Sequence, residues 1–451
     1  FAVRSDAESK RLLAAVGGSS AKIDVFNTES WTRTNLVLIP AAKSKAGDRV
    51  VDAAGKTVPS QRIADGSLAV LVRDIAPFSS RRYSILPGKA ARLGNASAKG
   101  NVIKNAELSA TIDPQSGAIV DLRMKGLAGN LVDTKSKTAV NDYFYLPNSD
   151  VKGAVRNGAA TITVEDPGPL VATLRIDSDA PGLRHLTRRV RLVSGVSKVD
   201  LADIIDKLAI REKEGLHIGF GFNVPNATMR MEMPLAVVRP EQDQLPAANK
   251  NWYPVQHWVD VSNSQYGVTW ATLDAPLVEV GGLTANIPGY VSQTDPRWLQ
   301  RTASSATFYS WVMNNHWHTN YKADQEGPVT FRYAIAPHGA FAADAAARFG
   351  QGVSRPLVAL LASGNAVKGS LLQVSSPRVT VSELKPSDDG KAWIVRLWGA
   401  SGRAQTVKLS WKGKPLTAAY LSNTTEKAGA KIGPNFAVPG YGVVTLRIPR
   451  S

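Results

Sequence analysis

Two histidines stand two residues apart in Asn314-Asn315-His316-Trp317-His318-Thr319-Asn320-Tyr321. On a strand such a pair projects to one side, and imidazoles placed this way can begin a metal site. A third ligand would have to come from elsewhere, and the chain holds only His185, His217, His257 and His338 besides. The plainer reading is hydrogen bonding to loops or ligands, and no metal site is expected. The density of amide, indole, imidazole and phenol groups suits a carbohydrate-facing surface, where flat rings and polar donors alternate. Asn315, His316, Trp317, His318 and Tyr321 are therefore candidate sugar-binding residues, on one edge of a polar, aromatic-lined concavity.

Chemistry that would cleave a sugar bond is harder to find. Glycoside hydrolysis usually needs two carboxylates a few ångströms apart. The closest acidic cluster is Asp200, Asp203 and Asp206. Strand alternation turns Asp203 away from the other two, so these read as structural carboxylates. There is no His-Glu-x-x-His, no P-loop, no Gly-x-Ser-x-Gly and no dinucleotide fingerprint. The absence of cysteine excludes disulfides, thiolate metal sites and cysteine nucleophiles.

The formal net charge is +17. Basic residues are scattered among acids, and the densest group is Arg184, Arg188, Arg189 and Arg191. It reads as a solvated strand face, with Thr187, Arg189 and Arg191 on one side and Leu186, Val190 and Leu192 on the other. Diffuse charge of this kind predicts no nucleic-acid site. No run approaches the roughly 18 to 20 apolar residues of a membrane span, and no membrane partner is expected.

The elements that must position the candidates are nearly all strands. Residues 6–16 have helical spacing, with Leu12, Leu13 and Val16 recurring before Gly17-Gly18. Short β-type runs follow at 35–39, 67–72 and 83–86, then longer alternating ones at 159–164, 170–176, 187–193, 217–224 and 329–335. A second helix is expected at 340–349, closed by Gly350. Final strands are expected at 378–381, 393–398, 406–411 and 442–448. The reading is all-β: a helical stub or linker at 1–20, a small β-sandwich at 21–88, a large sandwich at 100–350 and a C-terminal sandwich at 370–451.

Several segments, taken in order, resemble the post-catalytic region of family thirty-eight glycoside hydrolases, the α-mannosidases. Phe26-Asn27-Thr28-Glu29-Ser30-Trp31 resembles the opening of that family's first β domain. Asp113-Pro114-Gln115-Ser116-Gly117-Ala118-Ile119 resembles the hairpin that begins its large sandwich, and Asn141-Asp142-Tyr143-Phe144-Tyr145-Leu146-Pro147 its "Ala-Tyr-x-Phe-Leu-Pro" segment. Tyr253-Pro254-Val255-Gln256, the Asn314 to Tyr321 stretch and Leu384-Lys385-Pro386-Ser387-Asp388-Asp389-Gly390 are similar to segments of bacterial members. The resemblance implies that the large sandwich is a galactose-mutarotase-like supersandwich. It implies a catalytic α/β barrel and a three-helix bundle upstream of a chain that starts at Phe1, with zinc held by His and Asp residues of the barrel and no cofactor here. It further implies that the sandwich packs on the barrel and lends one tyrosine to the sugar pocket. By motif this is Tyr143; Asn141-Asp142 departs from the family pattern, and a shift to Tyr145 stays open. A periplasmic or secreted location is favoured. Two other readings stand beside this one: a free-standing carbohydrate-binding protein, and a polysaccharide lyase or epimerase-like enzyme using Asn315, His316, His318 and Tyr321.

Overall fold

The computed structural model describes residues 19–148, 150–284, 298–316, 322–366 and 369–450. The helix expected at 6–16 and the candidates Trp317, His318 and Tyr321 lie outside the described residues.

Chain contacts divide the protein into two units: Asn95–Ser354, and residues 19–94 together with 355–450. The Asn95–Ser354 unit is built on two nine-stranded antiparallel sheets. The first has Val140–Pro147 at its centre, with Glu214–Gly221 and then Thr307–Asn314 on one side and Ile119–Met124 on the other. The second runs from Ala160–Pro167 through Val171–Ser178, Leu183–Val193, Val199–Lys207, Gly327–His338, Gly267–Thr272 and Trp258–Ser262 to Thr228–Met233 and Ala236–Val238. The Val199–Lys207 strand has the sequence VDLADIIDK and alternates buried and half-buried residues throughout. That period of two puts one row of side chains into the core and the other toward water. Between the sheets, Phe220 lies 5.2 Å from Trp270 and 5.3 Å from Tyr333, and Trp270 lies 5.2 Å from Phe308, an aromatic plug that locks the layers.

The one α-helix among the described residues is Ala343–Ser354, not 340–349. Gly350 falls inside it rather than ending it, and the reason is packing. A Cβ there would sit 2.6 Å from Trp258 Cδ1, so glycine is what lets the helix lie on that indole.

The other unit holds two cores. One gathers Ile23, Val25, Val37, Leu68, Val70, Tyr83 and Ile85 between a five-stranded and a three-stranded sheet, with Leu357 in the same cluster. The Val358–Ala362 strand pairs with Ser19–Asn27, a pairing that the local sequence pattern does not reveal. Asn27 of the Phe-Asn-x-x-x-Trp segment donates from Nδ2 to the carbonyls of Trp31, Ile75 and Ala76 and accepts from Glu29 N–H. The segment is thus a backbone clamp. The second core comprises Leu372, Val395, Leu397, Val407 and Leu446.

Candidate functional site

Asn141 adopts a left-handed φ of +63°, and the pairing register slips between Val140 and Asp142. From this bulge onward the strand buries both faces: Tyr143 and Tyr145 point into the inter-sheet core, while Asp142 and Phe144 lie on the opposite face. Tyr143 is fully buried and its hydroxyl donates to the Pro181 carbonyl at 2.5 Å. Burial pushes its phenol well above the usual tyrosine range. The ring expected at a sugar pocket thus sits mid-strand in the central strand of its sheet, with its hydroxyl already used. Tyr145 is also buried, but its phenol is hydrogen-bonded to Glu214, and burial together with this bond raises it.

Asn315 is likewise occupied. Its Oδ1 accepts from Glu214 N–H at 2.6 Å, and its Nδ2 donates to the carbonyls of Ile210 (2.9 Å) and Glu212 (2.7 Å). The side chain straps the 210–214 segment to the end of the Thr307–Asn314 strand instead of reaching for a ligand. His316 is only 3% exposed. Burial, with the neighbouring His217 and Lys213 adding to it, lowers its pKa to about 4, so the ring is neutral at physiological pH. It tilts against Trp311, whose other neighbours are His217 (stacked, 5.9 Å) and Trp252 (5.7 Å). His217 Nε2 lies 2.8 Å from Glu279 Oε2, while Glu279 Oε1 accepts from Thr284 N–H and Oγ1. Of the aromatic and imidazole groups expected at a concavity, His316 is therefore packed beneath the surface, while Trp317, His318 and Tyr321 lie outside the described residues.

A concavity does lie beside them. A cavity of about 190 Å³ is lined by Lys207, Glu214, Asn314, Asn315, Lys322 and Asp324, among others. Its lining mixes polar groups with Leu216 and Met313, and among the described residues no aromatic side chain belongs to it. Lys207 and Glu214 form a nearly buried ion pair at 2.6 Å, and Lys207 Nζ also donates to the Leu208 carbonyl at 2.9 Å. The volume suits one small polyhydroxylated molecule, and the lining can exchange hydrogen bonds with hydroxyls. Both lysine and glutamate are already partnered within the fold. Among the described residues no group of three or more His, Asp or Glu side chains could hold a metal ion, so the donors do not fit zinc.

Sequence reasoning missed the most heavily buried charges. Arg188 belongs to the group read as solvated, yet it is fully buried and in register with Asp203. Its guanidinium donates to the carbonyls of Asn141 (3.1 Å) and Ser116 (2.5 Å). Asp203, also fully buried, accepts from Asn141 Nδ2 at 2.8 Å, and burial raises its pKa to about 7. Asp142 pairs with Arg156 at 3.1 Å, and the Arg156 guanidinium covers the Phe144 ring. The signal was available: Arg188 shares strand parity with Leu186, Val190 and Leu192. As expected, Asp203 does face away from Asp200 and Asp206.

Comparison with known proteins places this architecture. Residues 378–445 match the C-terminal β-sandwich domain of family 38 glycosyl hydrolases. The C-terminal domain is accordingly similar to the family 38 β-sandwich, and the described residues contain no α/β barrel. An α-mannosidase from Enterococcus faecalis V583 aligns over 98% of this chain at a TM-score of 0.72 and 16% identity. A family 38 protein from Enterococcus faecalis aligns over 98% at 0.71 and 16%. This chain spans 58% and 60% of the lengths of those two proteins. A galactose mutarotase related enzyme from Lactobacillus acidophilus aligns over 52% of this chain and 96% of its own, at a TM-score of 0.32 and 11% identity. No curated protein sequence matches the chain.

Proposed function

We propose that this chain is the non-catalytic β portion of an α-mannosidase-like glycoside hydrolase, packing against a catalytic barrel and contributing to carbohydrate binding. The observation that carries this reading is the alignment of 98% of the chain with only 58% of an α-mannosidase, together with the family 38 sandwich at 378–445. The chemistry of the described residues agrees with a supporting role. Asp203, Glu214 and Glu279 are each committed to partners within the fold, and none forms the open carboxylate pair that glycoside hydrolysis needs. In this reading zinc belongs to the barrel, and this chain contributes no ligand to it.

The polar cavity at Lys207 and Glu214 is the place where a sugar hydroxyl would meet this unit, and Tyr145 reaches it through Glu214. Tyr143 acts behind it as a core residue. The test is direct. The 451-residue chain is incubated with 4-nitrophenyl α-mannoside and assayed for bound metal. No turnover above buffer and no zinc are expected; one zinc per chain, or clear turnover, would overturn the proposal. Titration with mannose gives the second arm: Lys322→Ala and Asp324→Ala weaken binding if the cavity is the sugar contact.

A further inference from the structure

The outer face of the second nine-stranded sheet carries a polar network away from the cavity described above. Strand pairing sets Arg230, Asp260 and Thr269 in one row, with Thr228, Ser262, Gly267 and His338 in the next. Asp260 is fully buried. Its Oδ1 accepts from Ser262 Oγ at 2.5 Å and its Oδ2 from Thr269 Oγ1 at 2.7 Å and His338 Nε2 at 2.7 Å. The other His338 nitrogen, Nδ1, donates to the Gly339 carbonyl at 2.8 Å. A carbonyl and a carboxylate only accept, so these contacts favour the doubly protonated ring of His338. Burial works against that charge, but the hydrogen bond and charge of Asp260 outweigh it and raise the pKa. The Asp260 carboxylate is thereby matched by His338.

Above this network lies an open hollow of about 750 Å³, whose lining includes Asn226, Arg230, Ser262, Gln265, Tyr266 and Phe341. Arg230 is the only charged residue in that lining. Its guanidinium stacks over the Phe341 ring at 4.3 Å, and its Nη1 donates to Ser262 Oγ at 3.1 Å. Arg230 thus faces the hollow while the Asp260 carboxylate beneath it is bonded to His338, Ser262 and Thr269. The loop beside them is held in shape. Asn263 Oδ1 accepts from the N–H groups of Gln265 (2.9 Å) and Tyr266 (3.0 Å), and the Tyr266 hydroxyl donates to the Asn223 carbonyl (3.0 Å). Gly267 closes the hairpin where a Cβ would lie 2.3 Å from Ser262 Cβ.

We propose that this hollow is a second carbohydrate site, selective for a sugar bearing an anionic group, which Arg230 receives while the ring lies against Tyr266 and the amides of Asn226 and Gln265 meet its hydroxyls. A planar guanidinium held by an aromatic face and a hydroxyl is prealigned for the two oxygens of a carboxylate or phosphoryl group. The side-chain amides of Asn226 and Gln265 and the Tyr266 ring, on a loop braced by Asn263, can add hydroxyl recognition. The volume lies within the range of a site for one to a few sugar rings.

The experiment is calorimetric titration of the full chain with mannuronic acid, mannose 6-phosphate, methyl α-mannoside and inorganic phosphate. The two anionic sugars are expected to bind more tightly than the neutral glycoside, and the tighter of the two identifies the anion. Arg230→Gln is expected to weaken them about tenfold or more, as loss of a charge-assisted pair does. Ser264→Asp, an exposed change at the hollow's edge, keeps the buried network intact and is expected to weaken them similarly if Arg230→Gln fails to fold. Equal affinity for methyl α-mannoside, inorganic phosphate binding as tightly as the sugars, or unchanged binding by the folded variants would each overturn the proposal. Metal content and hydrolysis are separate readouts, so the two proposals fail independently.

Discussion

At the scale of single residues, the polar side chains of the large unit are mostly building material. Asn315 makes three side-chain hydrogen bonds to backbone groups of the 210–214 segment. At about 1 kcal/mol each, Asn315→Ala should lower unfolding free energy by about 2–4 kcal/mol in denaturant titrations. Two buried groups pull the pH profile in opposite directions. His316 has a folded pKa of about 4 against an ordinary 6.5, so its unfolded form binds the extra proton between those values. Its contribution is complete above pH 6.5 and is lost as pH falls toward 4. Asp203 has a folded pKa of about 7 against 3.8, so here the folded form holds the proton. Its contribution is complete below about pH 4 and is lost as pH rises to 7. Removing one group should unmask the other. Asp203→Asn is expected to become more stable from pH 4 to 6.5 and His316→Gln less stable, both read by urea unfolding; parallel profiles would contradict the assignment.

At the scale of elements, the decisive contact joins a hairpin to a strand. Asp113 accepts from Ser116 N–H and Oγ and so folds the Asp-Pro-Gln-Ser-Gly turn, which presents the Ser116 carbonyl to Arg188. Gly117 has φ +66°, and a Cβ there would lie 2.2 Å from Arg188 Nη2. Gly117→Ala combines backbone strain with a clash against a fully buried side chain, and an expected loss of about 2–4 kcal/mol follows. Arg188→Met alone leaves the buried Asn141 and Ser116 carbonyls without their donor and should cost about 2–4 kcal/mol. The double change Arg188→Met with Asp203→Leu should recover part of that loss, because it also removes the buried carboxyl that faces position 188 across the strand pair. Thermal unfolding of the four proteins in this cycle measures the coupling; strict additivity would argue against a linked pair.

At the scale of the whole molecule, the excess positive charge is spread over surface ion pairs rather than gathered. Arg82 pairs with Asp24, Arg175 with Asp177, Arg189 with Glu165 and Arg332 with Asp274. A duplex could be contacted through few phosphates at once, so DNA binding should be weak and should vanish between about 50 and 200 mM salt. Retention of a specific duplex at physiological salt in a filter-binding assay would refute this. Among the described residues no helix is long and apolar enough to cross a membrane.

Strand alternation alone made the all-β architecture legible, because a period of two in runs such as VDLADIIDK has one simple structural meaning. The same alternation is enough to turn Asp203 away from Asp200 and Asp206. The ordered motifs pointed to an α-mannosidase-like β region, and the match at 378–445 agrees. What parity could not decide was which face is covered. Tyr143 and Tyr145 share a face, and only the sheet above them makes that face core; Arg188 sits on a core face because the Asn141 and Ser116 carbonyls arrive from distant segments to satisfy it. The same holds for Asn315 and His316, whose types suited a ligand but whose partners were supplied by the 210–214 segment and by Trp311 and His217. A polar side chain's role depends on whether the fold or the solvent satisfies it, and that is a property of tertiary contacts, not of spacing along the chain.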